Sequence, residues 1–388
     1  MTVLLLAVLY LSFISLGLPD SMLGAAWPTM HLDFGVPVSY AGIVSVIIAL
    51  GTVVSSLMSD RITRRLGASK TTAISVLMTA LALLGFSFST KYWMICLFAV
   101  PYGLGAGSVD AALNNYVSLH FKSKHMSWLH CMWGVGSAIG PAIMGAVLTR
   151  TDNAWDKGYL IVSIIQIVIC LIIFISLPIW KKKSADTEEE QKNKAPLKLK
   201  EIIKIKGAKS VMVTFFCYCA LEVTVTLWAS SYLNIHRGID ADTAALWGSL
   251  YVLGITIGRA VSGFITMKLN DTQMTRLGEG IMVLGAIMIA LPVHNSIALI
   301  GLFVLGIGSA PVYPCIIHST PERFGRDKSQ AIIGVQMASA YTGTCLMPFL
   351  FGLIANHISI AYFPLFLGLL LILHIILFEV LVSKTKKA

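Results

Sequence analysis

The sequence predicts an all-α membrane protein, with twelve transmembrane helices arranged as two groups of six. Three observations predict it. Apolar runs recur that are each long enough to cross a bilayer, which takes roughly 20 mainly apolar residues. Of 388 residues, 56% are hydrophobic and only 12% charged, with a mean hydropathy of +0.79; a soluble domain carries about 25% charged residues. The Lys and Arg also alternate in space. Outside the runs they fall in every second loop and in the C-terminal tail, except for Lys91, Arg150, Lys157 and Arg237. The positive-inside rule then places both termini in the cytoplasm. Strand-type alternation is absent, which argues against a membrane barrel.

The elements follow in order. The first run, 3–28, has no basic lead-in and continues into Pro- and Trp-rich sequence, so it is read as a retained span rather than a cleaved leader. It holds Asp20 beside Pro19, with Trp27 seven residues on and so on the same helix face. A charge inside a membrane helix costs roughly 2.5–3.5 kcal/mol on insertion scales, which makes each one a functional candidate. An acid beside an aromatic plate suits a sugar, because the ring stacks on the apolar face and the polar groups take the hydroxyls. A carboxylate taken out of water also holds a proton more tightly, as a proton carrier needs.

The second run, 38–58, leads into a basic turn with Asp60, Arg61, Arg64 and Arg65. The third run is 71–89. The fourth, 92–119, carries Asp110, with Asn114 one turn on and on the same face. The fifth, 127–148, places His130 and Trp133 on one face, and an imidazole there is a candidate pH sensor. The sixth is 158–180. A charged stretch, 181–209, separates the halves. It is either a solvated linker or, from Pro196 to Lys209, a basic helix lying on the inner leaflet.

The seventh run, 210–233, holds Glu222, roughly mirroring Asp20. The eighth, 243–267, holds Arg259, which needs an acidic partner, with Glu222 one option. Gly254 and Gly258 there form a packing pair. The ninth and tenth runs are 276–293 and 295–317. His318 and Glu322, at the inner boundary, suit a gate or loop contact. The eleventh, 329–355, carries Gln336, a donor and acceptor for sugar hydroxyls. The twelfth is 359–382. The halves echo each other: GAGS from Gly105 matches GIGS from Gly306.

Two resemblances sharpen this. The stretch SLMSDRITRRLGASK, residues 56–70, resembles the major facilitator superfamily signature G-x-x-x-D-R-x-G-R-R, with Ser56 and Thr63 in place of two glycines. The resemblance implies two six-helix bundles, 1–180 and 210–388, joined by a cytoplasmic linker, with substrate held at mid-membrane. It also implies a conformational gate built from Asp60, Arg61, Arg64 and Arg65, to which Arg259 is added. The run PVYPCIIHSTPERFGRDKSQAIIGVQMASAYTG, residues 311–343, resembles the fucose permease-like (fucose–proton symporter) family. So do LPDSMLGAAWP and GSVDAALNNYV. That family implies substrate binding and coupling at Asp20 and proton coupling at Asp110, where the family usually has Glu.

The expected function is therefore secondary active transport of a small polar solute, a sugar, by proton symport through alternating access. Asp20, Trp27, Asn114, His130, Trp133 and Gln336 are the expected substrate-binding residues. Asp20, Asp110 and Glu222 are the expected proton carriers. Proton-antiport efflux of drugs or metabolites on the same fold is the alternative, and the Asn and Gln content leans towards a polar substrate. A sensor on this fold would call for a long soluble domain, which the sequence lacks. No nucleophile–base spacing, metal cluster or phosphate loop suggests an enzyme, a metal or a cofactor. The seven cysteines all fall in apolar runs and read as packing residues. The net charge of +10 follows membrane topology and does not indicate nucleic acid. The expected setting is the plasma or inner membrane, as a multi-pass monomer.

Overall fold

A computed structural model describes residues 2–151, 154–192 and 196–386, and among these all regular structure is helical. The first span is two helices, α1 (Thr2–Gly17) and α2 (Met22–Asp33), with a break at 18–21. The next five spans are α3 (Ala41–Leu66), α4 (Ala68–Ser87), α5 (Tyr92–His120), α6 (Ser123–Arg150) and α7 (Trp155–Lys192). After the short α8 (Leu199–Ile202) come α9 (Ala208–Ile235), α10 (Ala241–Ile265) and α11 (Asp271–Ala290). The tenth span is again divided, into α12 (Asn295–Ser309) and α13 (Val312–His318), and a single turn, α14 (Thr320–Phe324), follows it. The chain ends with α15 (Ser329–Ile354) and α16 (Phe363–Thr385).

Among the described residues, ten segments are long and apolar enough to cross a membrane. One of them, Ser329–Thr385, contains both α15 and α16. The more polar α11 completes the twelve spans of the expected fold. The sixth span outruns its apolar stretch, since α7 continues to Lys192. Between Pro196 and Gly207 the basic stretch is helical only over α8, whose Ile202 is buried while Lys200 and the preceding Lys198 are exposed.

Pro19 explains the first break. It has no N–H to give to the carbonyl of Ser15, four residues back. That carbonyl accepts from Gln166 Nε2 on α7 instead, at 2.6 Å. Short-range bonds, Asp20 N to Gly17 O and Met22 N to Pro19 O, carry the chain through to α2. Pro311 marks the second break in the same way.

Contacts group the chain into two compact units. One is 1–116 with 129–197; the other is 117–128 with 198–388. Within each, small residues bring helix backbones together, as lipid-embedded helices require. In the first unit Gly136 and Gly140 of α6 lie against the carbonyls of Ile14 and Leu18, and Gly17 faces the carbonyl of Trp133. In the second, Gly254 of α10 packs on the Phe303 carbonyl and Gly258 on Ala310. A side chain at Gly140 would overlap the Leu18 carbonyl, next to the break. Gly140→Val is therefore expected to lower stability by about 2 kcal/mol or more. Thermal unfolding of the detergent-solubilised protein checks this, and an unchanged midpoint would contradict it.

Candidate functional site

The break in the first span places an acid where its backbone leaves the helix. Asp20 is exposed, while Pro19 before it and Met22 after it are buried. Two aromatic donors hold its carboxylate. Trp133 Nε1 of α6 donates to Oδ2 at 2.7 Å, and the Tyr102 hydroxyl of α5 donates to Oδ1 at 3.4 Å. Trp133 is half-buried and Tyr102 buried, so the carboxylate is anchored from one side and open on the other.

A second polar chain crosses between α5 and α6. Asn114 Nδ2 donates to Asp110 Oδ1 at 2.8 Å, and Asn114 Oδ1 faces His130 Nε2 at 3.0 Å. Because Asn114 spends its N–H on a carboxylate, its oxygen is the acceptor and His130 Nε2 carries the proton. Phe13 on α1 packs nearly perpendicular to the His130 ring, with centroids 5.1 Å apart. Asp110, Asn114 and His130 are all buried. Helices α1, α5 and α6 thus gather two acids, an imidazole and two aromatic donors into one unit.

Trp27 is not part of this group. It is buried, and its indole donates to the Val38 carbonyl at 2.7 Å beside Tyr92 and His31. The seven-residue rule that placed it beside Asp20 needs an unbroken helix, and α2 begins only at Met22. Gln336 is fully buried too, with its amide spent on the Thr320 hydroxyl at 3.2 Å.

In the second unit Glu222 of α9 meets Arg259 of α10 at 3.5 Å, which identifies a partner for that arginine. Tyr218 and Tyr251 converge nearby on Ser309, the last residue before the break in the tenth span. Tyr218 donates to its carbonyl at 2.8 Å, and the Tyr251 hydroxyl lies 3.2 Å from its Oγ. Each unit therefore sets its polar centre beside a discontinuous span, an arrangement that transporters use for substrate and ion sites.

The signature residues lie on the last turns of α3. Arg64 Nε donates to Asp60 at 2.9 Å within that helix, and Asp60 also accepts from the backbone N–H of Leu197 at 3.3 Å. Arg61 and Arg65 are exposed. Ser56, standing for a signature glycine, lies 3.4 Å from the Gly107 carbonyl of α5. The cluster thus ties the end of α3 to the connection that precedes α8.

Sequence reasoning passed over a buried pair, Glu279 of α11 and His374 of α16, 3.1 Å apart. Both fall inside predicted spans, so the rule that singled out Asp20 applied to them equally. None of the seven cysteines forms a disulfide, and no group of metal-ligating side chains is found among the described residues.

The profile of the Major Facilitator Superfamily matches residues 9–341 and 212–388. The chain belongs to the major facilitator superfamily. It is a multi-pass membrane transporter of that superfamily, not an enzyme. A yeast relative, Bypass of stop codon protein 6 of Saccharomyces cerevisiae, is 21% identical over 91% of this chain and 77% of its own length. The Glucose/mannose transporter GlcP of Bacillus subtilis is 23% identical, over 75% of this chain and 72% of its own. The crystal structure of the E. coli Fucose:proton symporter FucP superposes with a TM-score of 0.78. It is 14% identical, covers 98% of each chain and establishes likeness of fold.

Proposed function

We propose that this superfamily transporter carries a sugar together with a proton, and that Asp20 is where the two meet. The observation that carries the reading is the Asp20 carboxylate, held in a helix break by Tyr102 and Trp133 and open on its remaining side. An acid of this kind accepts sugar hydroxyls when ionised. When protonated it changes both its charge and its hydrogen-bonding role. Trp133, in place of the expected Trp27, is the aromatic plate beside it. Asp110, bonded through Asn114 to His130, is the second proton carrier, and Glu222 is the candidate in the other half. The glucose/mannose transporter and the fucose:proton symporter among the similar proteins support this substrate class and this coupling.

The bundles 1–180 and 210–388 move relative to each other about the linker 181–209, giving alternating access. Asp60, Arg61, Arg64, Arg65 and Arg259 contribute to the conformational gate. The protein works as a monomer in the cell membrane, with both termini in the cytoplasm.

Labelled hexoses, pentoses and deoxysugars offered to proteoliposomes with an alkaline interior test the reading. It predicts that at least one accumulates above its outside concentration. Accumulation of none, by protein shown to be folded, contradicts it and favours efflux.

A further inference from the structure

The end of α5, the start of α6 and the turn between them, Val117–Trp128, group by contact with the second unit. They are held there by a small set of specific bonds. The Ser123 hydroxyl donates to Asp271 Oδ1 at 2.5 Å. Arg326 donates to the Leu119 carbonyl at 3.0 Å. Trp128 donates to the Ala260 carbonyl at 3.2 Å and packs on Phe264. At the centre is His318, the last residue of α13. Its Nδ1 lies 2.6 Å from Asp271 Oδ2, and its Nε2 lies 2.9 Å from the carbonyl oxygen of Phe121.

Both ring nitrogens therefore face groups that only accept. A neutral imidazole has one N–H and satisfies one of them; only the imidazolium satisfies both. We propose that His318 with Asp271 is a proton-binding site that helps pin the 117–128 segment, and that losing the proton loosens it.

The charged and titratable neighbours fit this assignment. Asp271 comes from α11, Glu322 and Arg323 from α14, Cys315 from α13 itself, and His125 from the segment, where it packs on Phe121. Arg323 donates to Ser319, Thr385 and Thr272 and lies within electrostatic reach of Asp271. Of the two bonds of His318, the one to Phe121 reaches the segment, so the ring's second proton adds its hold to those of Ser123, Arg326 and Trp128. The hold is complete where the imidazole is charged and loosens as pH rises.

The bearing of this site on transport rests on the proton-coupled reading above; the site itself does not. Hydrogen exchange of the full chain in lipid nanodiscs, between about pH 5 and pH 8 and corrected for the intrinsic rate, tests it without any substrate. The wild type is expected to lose about tenfold or more of its protection over residues 119–126 as pH rises, the equivalent of one charge-assisted bond. His318→Gln is expected to show the unprotected rate at every pH. His318→Arg keeps a cation that does not titrate, and is expected to stay protected throughout. Wild-type protection that does not vary with pH overturns the proposal, as does an unchanged pH dependence in either variant. The Arg variant decides if the Gln variant does not fold. Because no sugar is involved, failure of the symport reading leaves these outcomes intact.

Discussion

Asp20→Asn is expected to abolish proton-driven accumulation while leaving a folded protein. The amide is nearly isosteric and can still accept from Trp133 Nε1 or the Tyr102 hydroxyl, so the break at 18–21 keeps its anchors. What it loses is the charge and the exchangeable proton. Two charge-assisted bonds become neutral ones, and a sugar hydroxyl that donated to a carboxylate meets a weaker acceptor. Charge-assisted bonds contribute about 1.5–3 kcal/mol each, so binding is expected to weaken by on the order of tenfold or more. Accumulation against a concentration gradient disappears altogether, because an amide carries no proton across. Calorimetric titration with the substrate sugar gives the first quantity, and uptake into vesicles with an imposed pH gradient gives the second. Retained accumulation with wild-type pH dependence would remove Asp20 from the coupling step.

Arg259→Met is expected to be the most destabilising of these changes. Arg259 is buried and Glu222 is half-buried, and the two lie 3.5 Å apart inside the second unit. Removing one partner of a buried pair leaves the other charge uncompensated, at about 3–5 kcal/mol. The double change Arg259→Met with Glu222→Met removes both charges and is expected to recover most of that loss. Thermal unfolding of the three variants beside the wild type measures the coupling. A double variant no more stable than Arg259→Met would show that the pair is not what holds these helices.

The spans were legible because lipid imposes a simple rule, and long apolar runs obey it whatever their packing. The polar groups of the first unit were legible for the same reason, since a carboxylate, amide or imidazole stands out in such a run. The structure brings Asp20 to Trp133 and Asp110 to Asn114 and His130. Tyr102 gave no such signal, because a tyrosine in a span reads as an ordinary apolar residue until its hydroxyl is seen on Asp20. Trp27 was misplaced by a periodicity that the helix break resets. Pro19 pointed to that break. The break at Pro311 was hidden inside an otherwise apolar tenth run. Glu279 and His374 were visible as ionisable groups, but their pairing joins residues 95 positions apart in the sequence, which no local pattern reveals.

The most direct test of the central claim uses proteoliposomes loaded with a pH-sensitive dye and no imposed gradient. The sugar found by the uptake panel is added outside, to wild type and to Asp20→Asn. The account predicts internal acidification that begins with sugar entry in the wild type and is absent in the variant. Sugar entry with no change in internal pH, in vesicles whose dye responds to an added acid pulse, would contradict it.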